Sequence, residues 1–243
     1  MKNIIANIRK ELKQNIDLKY KKGAINFFKE PIKVYGVRSK IIHQIAQKYF
    51  IQLSPRSWEK SYKSKKDFFI LCGKMLKSDY HEEAVIVFIW TEKLVRNFDL
   101  SDFKTFENWV KKYINNWAKV DIFCTHIINY FVKNYPTVIP KIKSWTKSKN
   151  RWMRRAAAVS FIGLKGFPEK KHLPRIFWIA KKLLKDPDDL VQKGYGWMLK
   201  CTAEKFESDV FNFVMKYKKE MPRTALRYAI EKMPRSLKEK AMA

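Results

Sequence analysis

The residues best placed to do chemistry are Trp117 and Asp121, in the run Asn115-Asn116-Trp117-Ala118-Lys119-Val120-Asp121. On a helix, a spacing of four puts the indole and the carboxylate on one face, about one turn apart. Asp121 is also the one carboxylate between Glu107 and Glu169. That stretch holds twelve basic residues: Lys111, Lys112, Lys119, Lys133, Lys141, Lys143, Lys147, Lys149, Arg151, Arg154, Arg155 and Lys165. A surface so free of acid suits a polyanionic partner. A bound phosphate backbone repels a carboxylate, so Asp121 either points away or acts on what is bound. The plainer readings are ordinary burial for Trp117 and, for Asp121, stabilisation of the first turn of a helix starting near Ala118. The latter leaves the lack of other acids unexplained.

Two further runs carry polar chemistry. Asn150-Arg151-Trp152-Met153-Arg154-Arg155-Ala156-Ala157-Ala158 opens a helix on which Arg154 and Arg155 offer guanidinium forks to phosphate or carboxylate. Val191-Gln192-Lys193-Gly194-Tyr195-Gly196-Trp197 places two glycines in a helical pattern. Each costs about 1 kcal/mol against alanine, which implies close approach by another backbone or a ligand. Other chemistries lack their signatures. His43, His81, His126 and His172 have no metal-binding spacing. Gly73-Lys74-Met75 lacks the rest of a phosphate loop, and no GxSxG elbow occurs.

These groups are carried by a succession of short amphipathic helices. Apolar residues recur at helical spacing in Ile4-Ile5-Ile8-Leu12, in Ile41 to Tyr49, in Phe103 to Ile114 and in Ile122 to Val132. Glu83 to Phe98 reads as one nearly all-apolar helix held between neighbours. Pro136, Pro174 and Pro222 read as first-turn prolines, and Ser101 and Asp188 as caps. Gly163, Gly166 and Pro168 mark one loop, and Asp186-Pro187-Asp188-Asp189 another turn. Pro234 to Ala243 reads as a frayed charged tail. No strand pattern of any length is present. The expected fold is all-α, an α-α superhelix of stacked helix pairs with a concave basic cleft, forming one domain over 1–243.

Composition agrees. Lys and Arg total 52 against 23 Asp and Glu, a formal net charge of +29, which speaks about partners rather than fold. Hydrophobic residues make up 46% of 243 residues, enough for a sizeable core, and only seven glycines fit a helical chain. Three scattered cysteines, Cys72, Cys124 and Cys201, form no disulfide framework and fit a reducing, cytoplasmic setting. The first fifteen residues lack the apolar core of a signal peptide.

Taken in order along the chain, four motifs resemble the bacterial alkylpurine DNA glycosylases built from HEAT-like repeats. They are Phe27-Phe28-Lys29-Glu30 with Tyr35-Gly36-Val37-Arg38; Phe106-Glu107-Asn108-Trp109 with Asn116 to Asp121; Trp152 to Ala157; and Gln192 to Leu199. The resemblance implies excision of positively charged N3- or N7-alkylated purines from double-stranded DNA without a cofactor; a self-contained solenoid needs no partner, so a monomer is expected. It places Trp117, Asp121, Arg155 and Trp197 in the active cleft. Arg38, Lys119, Arg154, Lys193 and Lys200, in or beside those motifs, are the expected DNA contacts. Lys200 stands where the family often has Arg. A cationic purine leaves without protonation, so the implied role of Asp121 is to stabilise the oxocarbenium-like sugar and orient water. Nearby cations are expected to keep it ionised. Two other readings stay open: a non-catalytic protein that binds bent or branched DNA, and a helical-repeat adaptor for an acidic protein.

Overall fold

The computed structural model describes residues 2–53, 63–163 and 167–243; Lys165 and Gly166 lie outside them. Among the described residues the chain is all-helical, and the one extended pairing is an isolated bridge between Lys33 and Tyr80. No described helix is long and apolar enough to cross a membrane. The chain divides into two compact units, Met1–Phe98 and Asp99–Ala243.

The first unit comprises α1 (Lys2–Gln14), α2 (Leu18–Phe27), α3 (Ser39–Leu53), α4 (Lys63–Leu76) and α5 (His81–Lys93). Apolar nearly all round, α5 packs between α3 and α4, as its pattern requires. It ends at Lys93, earlier than expected, and a 3₁₀ turn follows at Val95–Asn97. Two buried acids open α5, and both are fully engaged, as buried charge demands. Glu82 accepts the backbone N–H groups of Tyr35, Gly36 and Val37 at 3.0, 2.7 and 3.2 Å. Glu83 accepts a fork from Arg9, 3.0 Å to each oxygen, and the Tyr35 hydroxyl at 2.8 Å. Gly36 makes this cradle possible. Its φ is +93°, and a Cβ there would lie 2.4 Å from Cβ of Lys21. The motif Tyr35-Gly36-Val37 is thus the seat of a buried carboxylate.

The second unit runs α6 (Phe103–Tyr113), α7 (Trp117–Phe123), α8 (Asn129–Asn134), α9 (Ile139–Trp145), α10 (Arg151–Val159), α11 (Leu173–Lys182), α12 (Asp189–Ala203), α13 (Glu207–Tyr217), α14 (Arg223–Ile230) and α15 (Arg235–Met242). A π turn, Cys124–Ile128, joins α7 to α8 without a break. Within this unit α7, α10, α12 and α14 form a row in which each packs on the next, and α9, α11 and α13 pack against that row. This is the stacked-pair arrangement of a helical-repeat superhelix. Small residues set the spacing: Ala156, Ala157 and Ala158 are wholly buried in α10. Gly196 lets α14 close in, since a Cβ there would lie 2.7 Å from Cβ of Tyr228 and 2.9 Å from the Ala225 carbonyl oxygen.

The caps follow helix chemistry with three departures. Asn116, Asn150 and Asp188 cap α7, α10 and α12 through side-chain acceptors. Pro136 opens a 3₁₀ turn and Pro174 sits in the first turn of α11, but Pro222 is the residue before α14 rather than part of its first turn. Ser101 is not a cap: it lies inside a 3₁₀ turn, Leu100–Asp102, that leads into α6, and the cap of that turn is Asp99, which accepts from the Ser101 N–H. Residues 234–243 are not frayed. Pro234 leads into α15, which packs on α13 and α14, buries Ala241 and receives Lys218 Nζ on the Lys240 carbonyl at 3.0 Å.

Candidate active site

The polar centre of the second unit is built on α10. Its spacing puts Arg151, Arg154 and Arg155 within one turn and a half, and each meets a carboxylate from a neighbouring segment. Arg151 pairs with Asp188, Nε to Oδ2 at 2.7 Å. Arg154 forks onto Asp186, Nε to Oδ2 at 2.6 Å and Nη2 to Oδ1 at 3.1 Å, and donates Nη1 to the Ser148 and Lys149 carbonyls. Arg155 forks onto Asp121 of α7, Nε to Oδ1 at 2.9 Å and Nη2 to Oδ2 at 2.8 Å. The remaining guanidinium nitrogen, Nη1, donates to the Leu190 carbonyl of α12. One side chain therefore ties together α7, α10 and α12.

Room for that side chain comes from Gly194. A Cβ there would lie 3.0 Å from Arg155 Cγ and 3.4 Å from Nη1. The close approach implied by the glycine pair is thus an arginine side chain at Gly194 and the α14 backbone at Gly196. Trp197 follows Gly194 by three residues, which places it on the same face of α12. It is half-buried and shares a hydrogen bond with the Cys201 thiol, which burial pushes up to about 11. Trp117, also half-buried, begins α7 one turn before Asp121.

The electrostatics differ from the expectation of easy ionisation. The side chains of Arg155 and Asp121 are only 6% and 16% exposed. Burial pushes the Asp121 carboxyl up from its ordinary value, and the Arg155 guanidinium pulls it back only in part. The fork is the geometry of an ionised carboxylate, so Asp121 is an anion with raised proton affinity. Beneath it the Cys124 thiol is fully enclosed and pushed well up by burial, which makes it inert. Among the described residues no three His, Cys, Asp or Glu side chains gather as a metal ion would need.

The expected DNA contacts are placed unevenly. Lys119 is 2% exposed and donates Nζ to Asn115 Oδ1 at 2.9 Å, so it is a core residue and no phosphate contact. Arg154 is engaged with Asp186, so its fork holds the loop between α11 and α12 rather than facing outward. Lys193 pairs with Asp189 at 3.3 Å, and Lys200 with Glu231 at 3.0 Å, both leaving part of the side chain exposed. Arg38, in the first unit, is exposed and pairs with Asp17 at 2.8 Å. Among the described residues of the acid-poor stretch the exposed cations are Lys111, Lys112, Lys133, Lys141, Lys147 and Lys149; of these, Lys111 and Lys112 close α6, and Lys147 and Lys149 precede α10. The Asn150 side chain reaches the Lys111 carbonyl at 3.4 Å and brings these two groups together.

Sequence reasoning did not find Asp186 and Asp188 as partners of α10, because ion pairs between residues over thirty positions apart leave no spacing signal. The Leu190 carbonyl was equally invisible, a backbone atom having no residue type. Gly194 was the one available sign.

A family model described as DNA alkylation repair enzyme matches residues 8–233. No curated protein matches the chain. Among solved structures, a predicted DNA alkylation repair enzyme from Enterococcus faecalis is similar, with a TM-score of 0.69 and 16% identity over 84% of this chain and 90% of that one. At that identity the likeness shows a shared fold.

Proposed function

The chain belongs to the DNA alkylation repair enzyme family and so has a role in DNA repair, and from that premise we propose that it is a DNA glycosylase that releases positively charged N3- and N7-alkylated purines from duplex DNA. The observation that carries this reading is the Asp121 carboxylate, buried but 16% exposed, and fixed through both oxygens by Arg155. A preorganised anion of this kind stabilises the cationic sugar that forms as the glycosidic bond breaks. The bonding electrons go to the purine and cancel its charge, so no acid is needed. Water then adds to the sugar carbon and gives a proton to Asp121, whose raised proton affinity suits it to that step. Trp117 and Trp197 offer aromatic faces to the cationic base or sugar. Arg155 holds Asp121, and Lys111, Lys112, Lys147 and Lys149 take the phosphate backbone.

One observation favours a second reading, DNA binding by shape without base release: both Asp121 oxygens already accept from Arg155. Each oxygen keeps a second lone pair, so the pairing does not remove the base. A single assay decides. Free base released from N7-methylguanine duplex is expected to fall about 10²- to 10³-fold in Asp121→Asn, with duplex affinity retained or tighter. Release at the wild-type rate refutes the catalytic role, and no release by the wild-type protein leaves the binding reading.

A further inference from the structure

We propose that α12 positions the carboxylate: the Leu190 carbonyl and the bare backbone at Gly194 seat Arg155, and through Arg155 they fix Asp121. The geometry is specific. Helical side chains lean toward the N-terminus, so a residue at 194 covers the helix surface above the carbonyl one turn earlier, at 190. Arg155 Nη1 donates to that carbonyl. It reaches it across the place where a side chain at 194 would stand, 3.0 Å from its Cγ and 3.4 Å from Nη1. With Nη1 anchored on α12, the other two donors of the planar fork can point only one way, onto the two Asp121 oxygens at 2.9 and 2.8 Å. An arginine without the third anchor has several rotamers open to it, and the carboxylate loses its fixed partner. Gly194 and the Leu190 carbonyl touch no reacting atom in this scheme. They are positioning elements, and their effect passes wholly through Arg155.

The consequence for rate rests on the glycosylase reading; the positioning itself does not, so the test reads both. Among the described residues, the charged and titratable groups that face Asp121 are Arg155 from α10 and Cys124 from the following π turn. Displacing Arg155 leaves burial of the carboxyl unopposed. In the DNA-free protein, carboxyl-labelled aspartate followed by NMR through a pH titration reports Asp121, identified by its loss in Asp121→Asn. Gly194→Val, which drives a branched side chain into the path of the guanidinium, is expected to raise the Asp121 midpoint above that of the wild type. Base release at saturating methylated duplex should fall about 100-fold, the scale of an ångström misplacement, while the KM for duplex changes little. Gly194→Ala is the control for folding, because alanine is the better helix former. It should melt no lower than the wild type and move the midpoint in the same direction by less. An unmoved Asp121 midpoint in both folded variants overturns the proposal. A raised midpoint with unchanged base release supports the positioning and sinks the catalytic role of Asp121, and a raised midpoint with no base release even by the wild type supports the positioning and sinks the glycosylase reading.

Discussion

Replacing Arg155 by Met keeps most of the packed stem and removes only the guanidinium, so it isolates the charge. With the pair's side chains 6% and 16% exposed, the loss is that of a buried ion pair deprived of one partner, about 3 to 5 kcal/mol. The partial exposure of Asp121 admits some water, which places the expected value near 3 kcal/mol at pH 7. The helical Leu190 carbonyl keeps its place in α12 and adds little. The pH dependence has a definite sign. Burial already holds the Asp121 carboxyl above its unfolded value, and without Arg155 it rises further. A carboxyl raised on folding favours the folded state when protonated and disfavours it once ionised. The deficit of the variant is therefore largest at neutral and alkaline pH. It shrinks on acidification, by about 1.4 kcal/mol for each pH unit below the variant's folded midpoint, until the wild type's own folded midpoint is reached. Urea unfolding followed by far-ultraviolet circular dichroism at pH 7 and pH 5, without DNA, measures this. Adding Asp121→Leu to Arg155→Met should recover most of the loss, because an apolar pair replaces the stranded charge. A loss below about 1 kcal/mol at pH 7, or a double variant no more stable than the single, refutes the buried fork.

Other perturbations separate the parts of the molecule. Gly36→Ala forces an L side chain into a left-handed conformation against Lys21 and should cost about 3 kcal/mol in urea unfolding. Gly196→Ala meets Tyr228 Cβ and the Ala225 carbonyl, atoms that cannot move without the α14 backbone, so it should destabilise by about 1 to 3 kcal/mol, where Gly194→Ala does not. Duplex affinity should fall with salt at a slope of about −0.9 per phosphate neutralised, and Lys147→Gln with Lys149→Gln should flatten that slope by about two contacts; a flat salt response in the parent protein speaks against DNA.

Helix type and order were legible because the apolar period along α1, α3 and α6 is regular, and Asp188, read as a cap, does cap α12. The end of α5 was not: the apolar run continues to Phe98, while the backbone turns into a 3₁₀ helix at Val95. Charge misled at the C-terminus, where Lys and Glu suggested fraying but α15 packs on α13 and α14 and buries Ala241. For the site, the pairing of Trp117 with Asp121 on one turn was readable, and Gly194 announced a close contact. Lys119 was not readable as buried, since a lysine in a basic stretch looks the same in sequence whether its stem lies in the core or in solvent.

Under the glycosylase reading, the three carboxylates that meet Arg151, Arg154 and Arg155 have a further effect on how a duplex is held. They withdraw the planar, directional cations of α10 from the outer surface and leave ammonium groups at the helix ends. An ammonium is a compact charge with freely rotating donors and no preferred register on a phosphate. A duplex gripped in that way can shift along the protein at little cost. Of the three guanidinium groups, one holds the carboxylate proposed for the chemistry and the other two hold the segment before α12, so under the glycosylase reading scanning and chemistry draw on different kinds of cation.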